Sequence, residues 1–177
     1  MKIYFKIGLL FLFLPIHSQD IGFSNLLKEV YPDKNEFNYP KNYKVNTARN
    51  SYSDVNIIIK TKVGDIIEFN AFSKTLNNIQ FNNVKDVPVE ENTGLDSRTE
   101  QFKGLINPHV IRRAPFRVFE ILKPVHNNIT AETKYSLLNL KIYIPEKIDS
   151  GNHFVNLSFR IGSKTFDLKL KVNVYDY

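Results

Sequence analysis

The chain has 177 residues, of which 42% are hydrophobic and 13% aromatic, so it holds enough apolar material for one packed core. It contains no cysteine, which excludes disulfide scaffolds, thiolate metal sites and cysteine nucleophiles. The formal charge of +6 is mild: it favours contact with an anionic partner, but it lacks the dense basic stripe typical of nucleic-acid binding.

The first 19 residues have the pattern of a secretory signal peptide. Lys2 and Lys6 precede an apolar run over residues 7–16, and a short polar end follows. The run has about half the 20 or so residues that a membrane-spanning helix needs, so we predict no membrane span. We expect cleavage near Gln19, a secreted or periplasmic location, and one folded domain over residues 20–177.

The mature chain begins with the one helix that the sequence suggests, over residues 23–30. Ser24 is a suitable cap, apolar residues share one face, and Pro32 would end the helix. Downstream, alternating and β-branched residues predict strands instead. Eight segments carry this pattern: residues 43–47, 52–60, 66–72, 79–82, 116–122, 138–144, 155–161 and 166–174.

The strand pattern predicts an all-β fold, an antiparallel β-sandwich of about eight strands. Alternation is most regular in the last three segments, and Gly162-Ser163 predicts a tight hairpin between the final two. One long loop, residues 86–115, interrupts the pattern. Because long loops in compact domains usually carry function, we expect any working surface of the chain to lie there.

The loop holds the densest acidic residues, among them Glu90, Glu91 and Asp96. Paired carboxylates are what glycoside hydrolysis requires, but adjacent Glu90 and Glu91 on an extended segment would point to opposite faces. Calcium binding with Asn92 would suit these oxygen ligands, yet no recognised loop signature is present. We therefore predict no catalytic pair, no metal and no cofactor, and expect these acids to pair with nearby arginines.

Arg112, Arg113 and Arg117 form the sharpest basic cluster. Guanidinium groups match sulfate and carboxylate geometry, so with an aromatic platform such as Tyr52 or Phe116 they could bind an acidic glycan. The other interpretation is that these arginines hold the loop against its own acids. The second interpretation is the one we favour.

Two stretches resemble a known family. Residues 47–57, Thr-Ala-Arg-Asn-Ser-Tyr-Ser-Asp-Val-Asn-Ile, resemble a strand opening in the N-terminal β-sandwich of secreted glycoside hydrolases of the family 123 type. Residues 144–154, with Pro145 and Gly151, and the final strand over residues 166–176 are similar to the closing hairpin of that domain. In that family a (β/α)8 barrel follows the sandwich and holds the catalytic acids, which have no counterpart in a sequence ending at Tyr177.

The resemblance and the long loop together predict a secreted, non-catalytic β-sandwich module associated with polysaccharide degradation. An acidic glycan is its candidate ligand, and its expected partners are a polysaccharide or a separate catalytic domain. Two alternatives stay open. The chain could be a small lyase or glycoside hydrolase that uses the loop carboxylates, or the truncated remnant of a longer glycosidase.

Overall fold

Ten β-strands form from the residues that the computed structural model describes, namely 21–24, 30–33, 37–92 and 110–176. Residues 1–19, the predicted signal peptide, and residues 93–109 of the predicted loop lie outside this set. The strands are β1 (Ile21–Ser24), β2 (Asn42–Ala48), β3 (Ser51–Lys60), β4 (Ile66–Phe72), β5 (Ile79–Val89), β6 (Phe116–Val125), β7 (Asn128–Thr130), β8 (Tyr135–Ile144), β9 (Gly151–Ile161) and β10 (Lys164–Tyr175).

The strands form two sheets of five. The first sheet has the order β1-β3-β8-β5-β6 and the second sheet has the order β2-β10-β9-β4-β7. All neighbours are antiparallel except β2 and β10, which run parallel. The predicted β-sandwich is therefore confirmed, with one parallel pair that joins strands from opposite ends of the described chain.

The core lies between the sheets and is built by alternation. In β9, Val155, Leu157 and Phe159 are buried in the core, whereas Asn156 and Ser158 between them are exposed. A period of two puts successive side chains on opposite faces, so the outer face of the second sheet carries the polar set. The first sheet contributes the matching buried residues, among them Val55, Ile57, Leu138, Leu140 and Ile142.

A smaller apolar cluster covers part of the outer face of the first sheet. Ile58, Val84 and Leu137 point away from the main core and pack with Val30 and Tyr135. Phe37, Tyr39 and Phe119 lie against this cluster. The segment before β2 thus shields one area of the first sheet from water.

The helix predicted over residues 23–30 is wrong where the structure describes it. Phe23 and Ser24 belong to β1 and pair with Ile57 and Asn56. Phe23 is buried in the core and stacks on Tyr43 with ring centroids 5.6 Å apart. Burial between two sheets outweighs the weak helical spacing of so short a segment. Residues 25–29 lie outside the described set.

Strand β5 also differs from the prediction, since it continues to Val89 instead of ending at Asn82. The first residues of the predicted loop, from Asp86, are therefore strand, paired with the start of β6. Pro88 is accommodated in this strand because pairing with β8 stops at Val84. Beyond that point β5 hydrogen-bonds on one side only, where a missing N–H is tolerated.

The predicted hairpin at Gly162-Ser163 is confirmed, with Ile161 paired to Lys164. Gly162 has a φ of +59°, which glycine adopts freely and alanine does not. A Cβ there meets no heavy atom within 4 Å, so Gly162→Ala should lower the free energy of unfolding by about 1 kcal/mol through the backbone alone. Urea denaturation, with Ser163→Ala as control, checks this; greater stability of Gly162→Ala would contradict it.

Candidate functional site

Arg112 of the basic cluster is held by an acid of its own chain. Its Nη1 donates to Asp33 Oδ1 at 3.0 Å, and its Nη2 donates to Asp33 Oδ2. The guanidinium carbon also lies 4.6 Å from the ring centroid of Tyr31 and 4.9 Å from that of Phe116. Both terminal nitrogens of the Arg112 guanidinium group are therefore bound to a carboxylate of the same chain.

Arg117 is likewise paired. Its Nε donates to Asp86 Oδ2, and its Nη2 donates to the backbone oxygen of Asp86 at 3.3 Å. The hydrogen bond with Asp86 raises the pKa of Arg117, and the nearby charge of Glu90 adds to the effect. Glu90, Glu91 and Arg113 have exposed side chains, and Asp96 lies outside the described residues.

The two ends of the predicted loop are joined by Asn92. Its Nδ2 donates to the backbone oxygen of Arg112 at 3.0 Å, and its Oδ1 accepts from the backbone N–H of Ala114 at 2.8 Å. The arrangement around Arg112 and Asn92 is that of a clamp. Of the two arginine pairs described, Arg117–Asp86 joins an arginine to an acid of the predicted loop, whereas the partner of Arg112, Asp33, lies outside that loop.

Tyr52 is not brought to the arginines. It lies on β3 opposite Tyr143, with ring centroids 5.2 Å apart, and Ile142 beside Tyr143 pairs with Ile79 at the start of β5. Arg117 pairs with Pro88 near the end of β5. At about 3.3 Å per residue the two positions are about 30 Å apart along the strand. A single site uniting Tyr52 with the basic cluster is therefore incompatible with the fold.

The Asp33 to Arg112 pair gives stability a pH dependence. The hydrogen bond from Arg112 lowers the pKa of Asp33, opposed by slight burial. Because the folded-state pKa is depressed, the contribution is present at neutral pH and fades as the pH falls below about 4. Asp33→Asn should lower Tm by no more than a few degrees at pH 7, since water screens so exposed a pair. Thermal melts at pH 7 and at decreasing pH check this; a difference that persists unchanged into strong acid would contradict it.

A different surface has the shape of a binding site, namely the outer face of the second sheet. A hollow of about 510 Å³ lies over β9 between β4 and β10. A second hollow adjoins it and shares Asn70 and Ser158, and a third shares Phe72, Asn156 and Lys169. The three together form one groove along β9, which we call the β9 groove.

Strand register sets the floor of the β9 groove. Asn70 and Asp167 flank Ser158, and Phe72 and Lys169 flank Asn156. Paired residues share a face of the sheet, so these six side chains form two cross-strand rows. A third row holds Glu68, Arg160 and Thr165, in which Arg160 donates to Glu68.

Aromatic and charged side chains complete the β9 groove. Phe72 is 59% exposed and Phe154 is 43% exposed, and Lys169 Nζ lies 4.6 Å from the Phe154 ring centroid. Lys74 lines the hollow that holds both rings, and Lys41 lines the neighbouring hollow, where its Nζ donates to the backbone oxygen of Ile21. The groove therefore offers amides, a hydroxyl, two aromatic rings and an excess of positive charge.

Sequence reasoning missed the β9 groove although part of its signal was visible. The alternation in β9 and β10 identifies Asn156, Ser158, Asp167 and Lys169 as outward-facing residues. The alternation does not identify β4 as the second neighbour of β9, because β4 lies far from β9 in the sequence. Long-range pairing of β4 with β9 is what adds Asn70 and Phe72.

Two further features bear on the classes of function. The described residues contain no group of three or more histidine or acidic side chains arranged to hold a metal ion. In the same part of the chain, no helix is long and apolar enough to cross a membrane.

The fold places the chain among β-sandwich proteins, and comparison with solved structures finds a likeness to a glycoside hydrolase. A family 123 glycoside hydrolase from Clostridium perfringens, studied for its hydrolysis of glycolipid glycans, matches with a TM-score of 0.67 and 12% identity over 90% of this chain. The match covers 28% of that enzyme, so the chain spans less than a third of its length. At this identity the likeness is one of fold, and it supports a distant structural resemblance to that family.

Other comparisons add little. The PapD-like domain 7 of human CEP192 matches over 97% of this chain and 99% of that chain, but with 9% identity and a TM-score of only 0.37. No family model matches the sequence, and none of the curated proteins does.

Proposed function

We propose that the chain is an exported, non-catalytic β-sandwich module of polysaccharide breakdown, which binds a glycan and acts beside a separate catalytic domain. The observation that carries the proposal is the fold likeness to a glycoside hydrolase, of which this sandwich matches 28%. We place the counterpart in the N-terminal sandwich of such enzymes, as the motifs in residues 47–57 and 144–154 suggest.

The state of the loop residues also supports a non-catalytic role. Arg112 and Arg117 are paired with Asp33 and Asp86, and Glu90 and Glu91 are exposed neighbours just beyond the end of β5. An acid in glycoside hydrolysis needs a raised pKa and a partner carboxylate at a fixed distance. Glu90 and Glu91 are instead open to solvent.

The test is to incubate the purified chain with a panel of soluble and insoluble polysaccharides, both neutral and acidic. We expect retention on at least one of them, measured by pull-down and affinity electrophoresis, with no release of reducing ends or unsaturated uronates. Retention on none of them would contradict the glycan role. Product release that disappears in the double variant Glu90→Gln, Glu91→Gln would establish the enzyme alternative instead.

Export is tested separately. We expect the chain expressed with its leader in a Gram-negative host to reach the periplasm and to begin near Asp20, as read by N-terminal sequencing. An intact Met1 on the purified protein would contradict the proposed signal peptide.

A further inference from the structure

We propose that the β9 groove binds an anionic glycan chain, lying lengthwise along β9. The inference rests on the proposed function and deepens it, because it places the ligand on the outer face of the second sheet and names its class. The loop and its arginines, where the sequence directs attention, have no part in this binding.

The shape of the groove favours a chain of sugars over a single ring. From Asn152 in the third hollow to Arg160 in the second, the groove follows eight residue steps of β9, or about 26 Å. The three hollows are continuous through shared residues and lie on the open face of a sheet. A ligand of several linked rings can therefore contact all three at once.

The floor offers the hydrogen bonds that sugar hydroxyls need. Each carboxamide supplies two donors and one acceptor, and a hydroxyl supplies one donor and two acceptor lone pairs. Within the described part of the chain, the side chains of Asn70, Asn156 and Ser158 have no hydrogen-bond partner. Their polar atoms are available to a ligand.

Three asparagines of the first sheet are bonded to one another. On the first sheet, Asn82 donates to Asn139 at 3.1 Å, and Asn139 donates to Asn56 at 3.3 Å. Asparagine is disfavoured in strands, and there its cost is offset by mutual bonding. Asn70 and Asn156 lie on an open sheet face without such bonds, so their amide groups are accessible to a ligand.

Aromatic rings flank the amides. Phe72 and Phe154 expose their rings at the same end of the groove, where the third hollow includes both. The ring of Phe72, the more exposed of the two, can pack against the C–H face of a sugar ring, whereas Lys169 covers part of the Phe154 ring. The combination of a ring with adjacent amides distinguishes this surface from an ordinary solvated sheet face.

Charge selects an anionic ligand. Lys74 and Lys169 line the hollows around Phe72, and a single carboxylate, Asp167, lies with them. Lys41 also lines one of these hollows, but its Nζ donates to the backbone oxygen of Ile21. The acid of the remaining hollow, Glu68, is paired with Arg160. A carboxylate or sulfate on the sugar therefore meets net positive potential at the Phe72 end.

A protein partner would fit this surface less well. Protein interfaces are depleted of lysine and have an apolar centre, whereas the β9 groove has asparagine and serine at its centre and lysines around the aromatic end. Lys169 also covers the Phe154 ring, which reduces the apolar area open to docking. The composition suits a hydroxyl-rich, charged chain.

The chain provides matched controls for a binding test. Tyr52 is 59% exposed, as is Phe72, but it lies on the outer face of the first sheet. Lys141 Nζ lies 4.5 Å from the Tyr52 ring, much as Lys169 lies 4.6 Å from that of Phe154. Tyr52→Ala and Lys141→Ala therefore remove equivalent side chains from the other sheet.

The experiment is calorimetric titration of the full chain with three oligosaccharides of equal length: an oligogalacturonate, a sulfated galactan fragment and a neutral cello-oligosaccharide. We expect one or both anionic ligands to bind, with affinity that falls as salt rises. Phe72→Ala should weaken binding by about tenfold or more, equivalent to about 1.4 kcal/mol, and Lys169→Ala should reduce the salt dependence. The two control variants should bind within about twofold of wild type, and Tm must show that every variant is folded.

Each contrary outcome has a distinct meaning. Equal or tighter binding of the neutral ligand would overturn the anionic class. If Tyr52→Ala weakens binding of the anionic ligand and Phe72→Ala does not, the ligand does not bind in the β9 groove. The proposed function would still stand. No heat with any ligand, together with no retention on the polysaccharide panel, would overturn both the groove proposal and the proposed function. A stable complex with a catalytic chain that depends on Phe72 would show that the ligand of the groove is a protein and not a glycan.

Discussion

Phe159→Ala is expected to lower the free energy of unfolding by about 3–5 kcal/mol. Phe159 is 0% exposed near the C-terminal end of β9, and its ring centroid lies 6.3 Å from that of Phe69. Removal of the ring leaves a cavity between the two sheets that the neighbouring aromatic and aliphatic side chains can fill only in part. Equilibrium unfolding in guanidinium chloride measures the change.

Phe72→Ala is the matched control for this substitution. It removes the same side chain from the solvent side of the adjacent strand β4, and we expect a change within about 0.5 kcal/mol. Equal losses for the two variants would mean that Phe72 is buried and that the β9 groove does not exist as described. The contrast therefore tests both the sandwich core and the accessibility of the groove.

Gly22→Ala is expected to destabilise the protein more than Gly162→Ala does. A Cβ on Gly22 would lie 2.4 Å from the backbone carbonyl carbon of Tyr39 and 2.5 Å from its Cα. The backbone N–H of Phe23 donates to the oxygen of Pro40 at 2.9 Å, so the two segments cannot separate without losing this bond. We expect a loss of about 1–3 kcal/mol from overpacking.

Urea denaturation of Gly22→Ala beside Gly162→Ala checks this prediction. Both variants add one methyl group, but of the two positions only Gly22 meets backbone atoms, so its loss should be the larger. A Gly22→Ala protein as stable as wild type would show that the segment before β2 does not rest on β1.

Alternation made much of the fold predictable. In β9 and β10, side chains such as Leu157 and Leu170 are buried, and the residues between them face water, as the sequence indicates. The shortest strands were not predicted, because the three residues of β7 are too few to show a period. The arrangement of the strands was also beyond the sequence, since the pairing of β10 with β2 joins opposite ends of the described chain.

The candidate site was harder to predict because it depends on pairing across long separations. The loop attracts attention by its acids and arginines, yet the partner of Arg112 is Asp33, which lies 79 residues earlier in the chain. The β9 groove combines outward residues of β4, β9 and β10, each of which taken alone resembles the solvated face of a strand. Only the register between these strands brings Asn70, Phe72, Asn156 and Lys169 together.

The location of the ligand is tested most directly by nuclear magnetic resonance. The labelled chain is titrated with an oligogalacturonate or a sulfated galactan fragment, and backbone amide shifts are followed. We expect the largest changes to fall on β4, β9 and β10 around Asn70, Phe72, Asn156 and Lys169. Changes centred on Tyr52 or on Arg112 and Arg117, with the β9 groove unaffected, would contradict glycan binding in the groove.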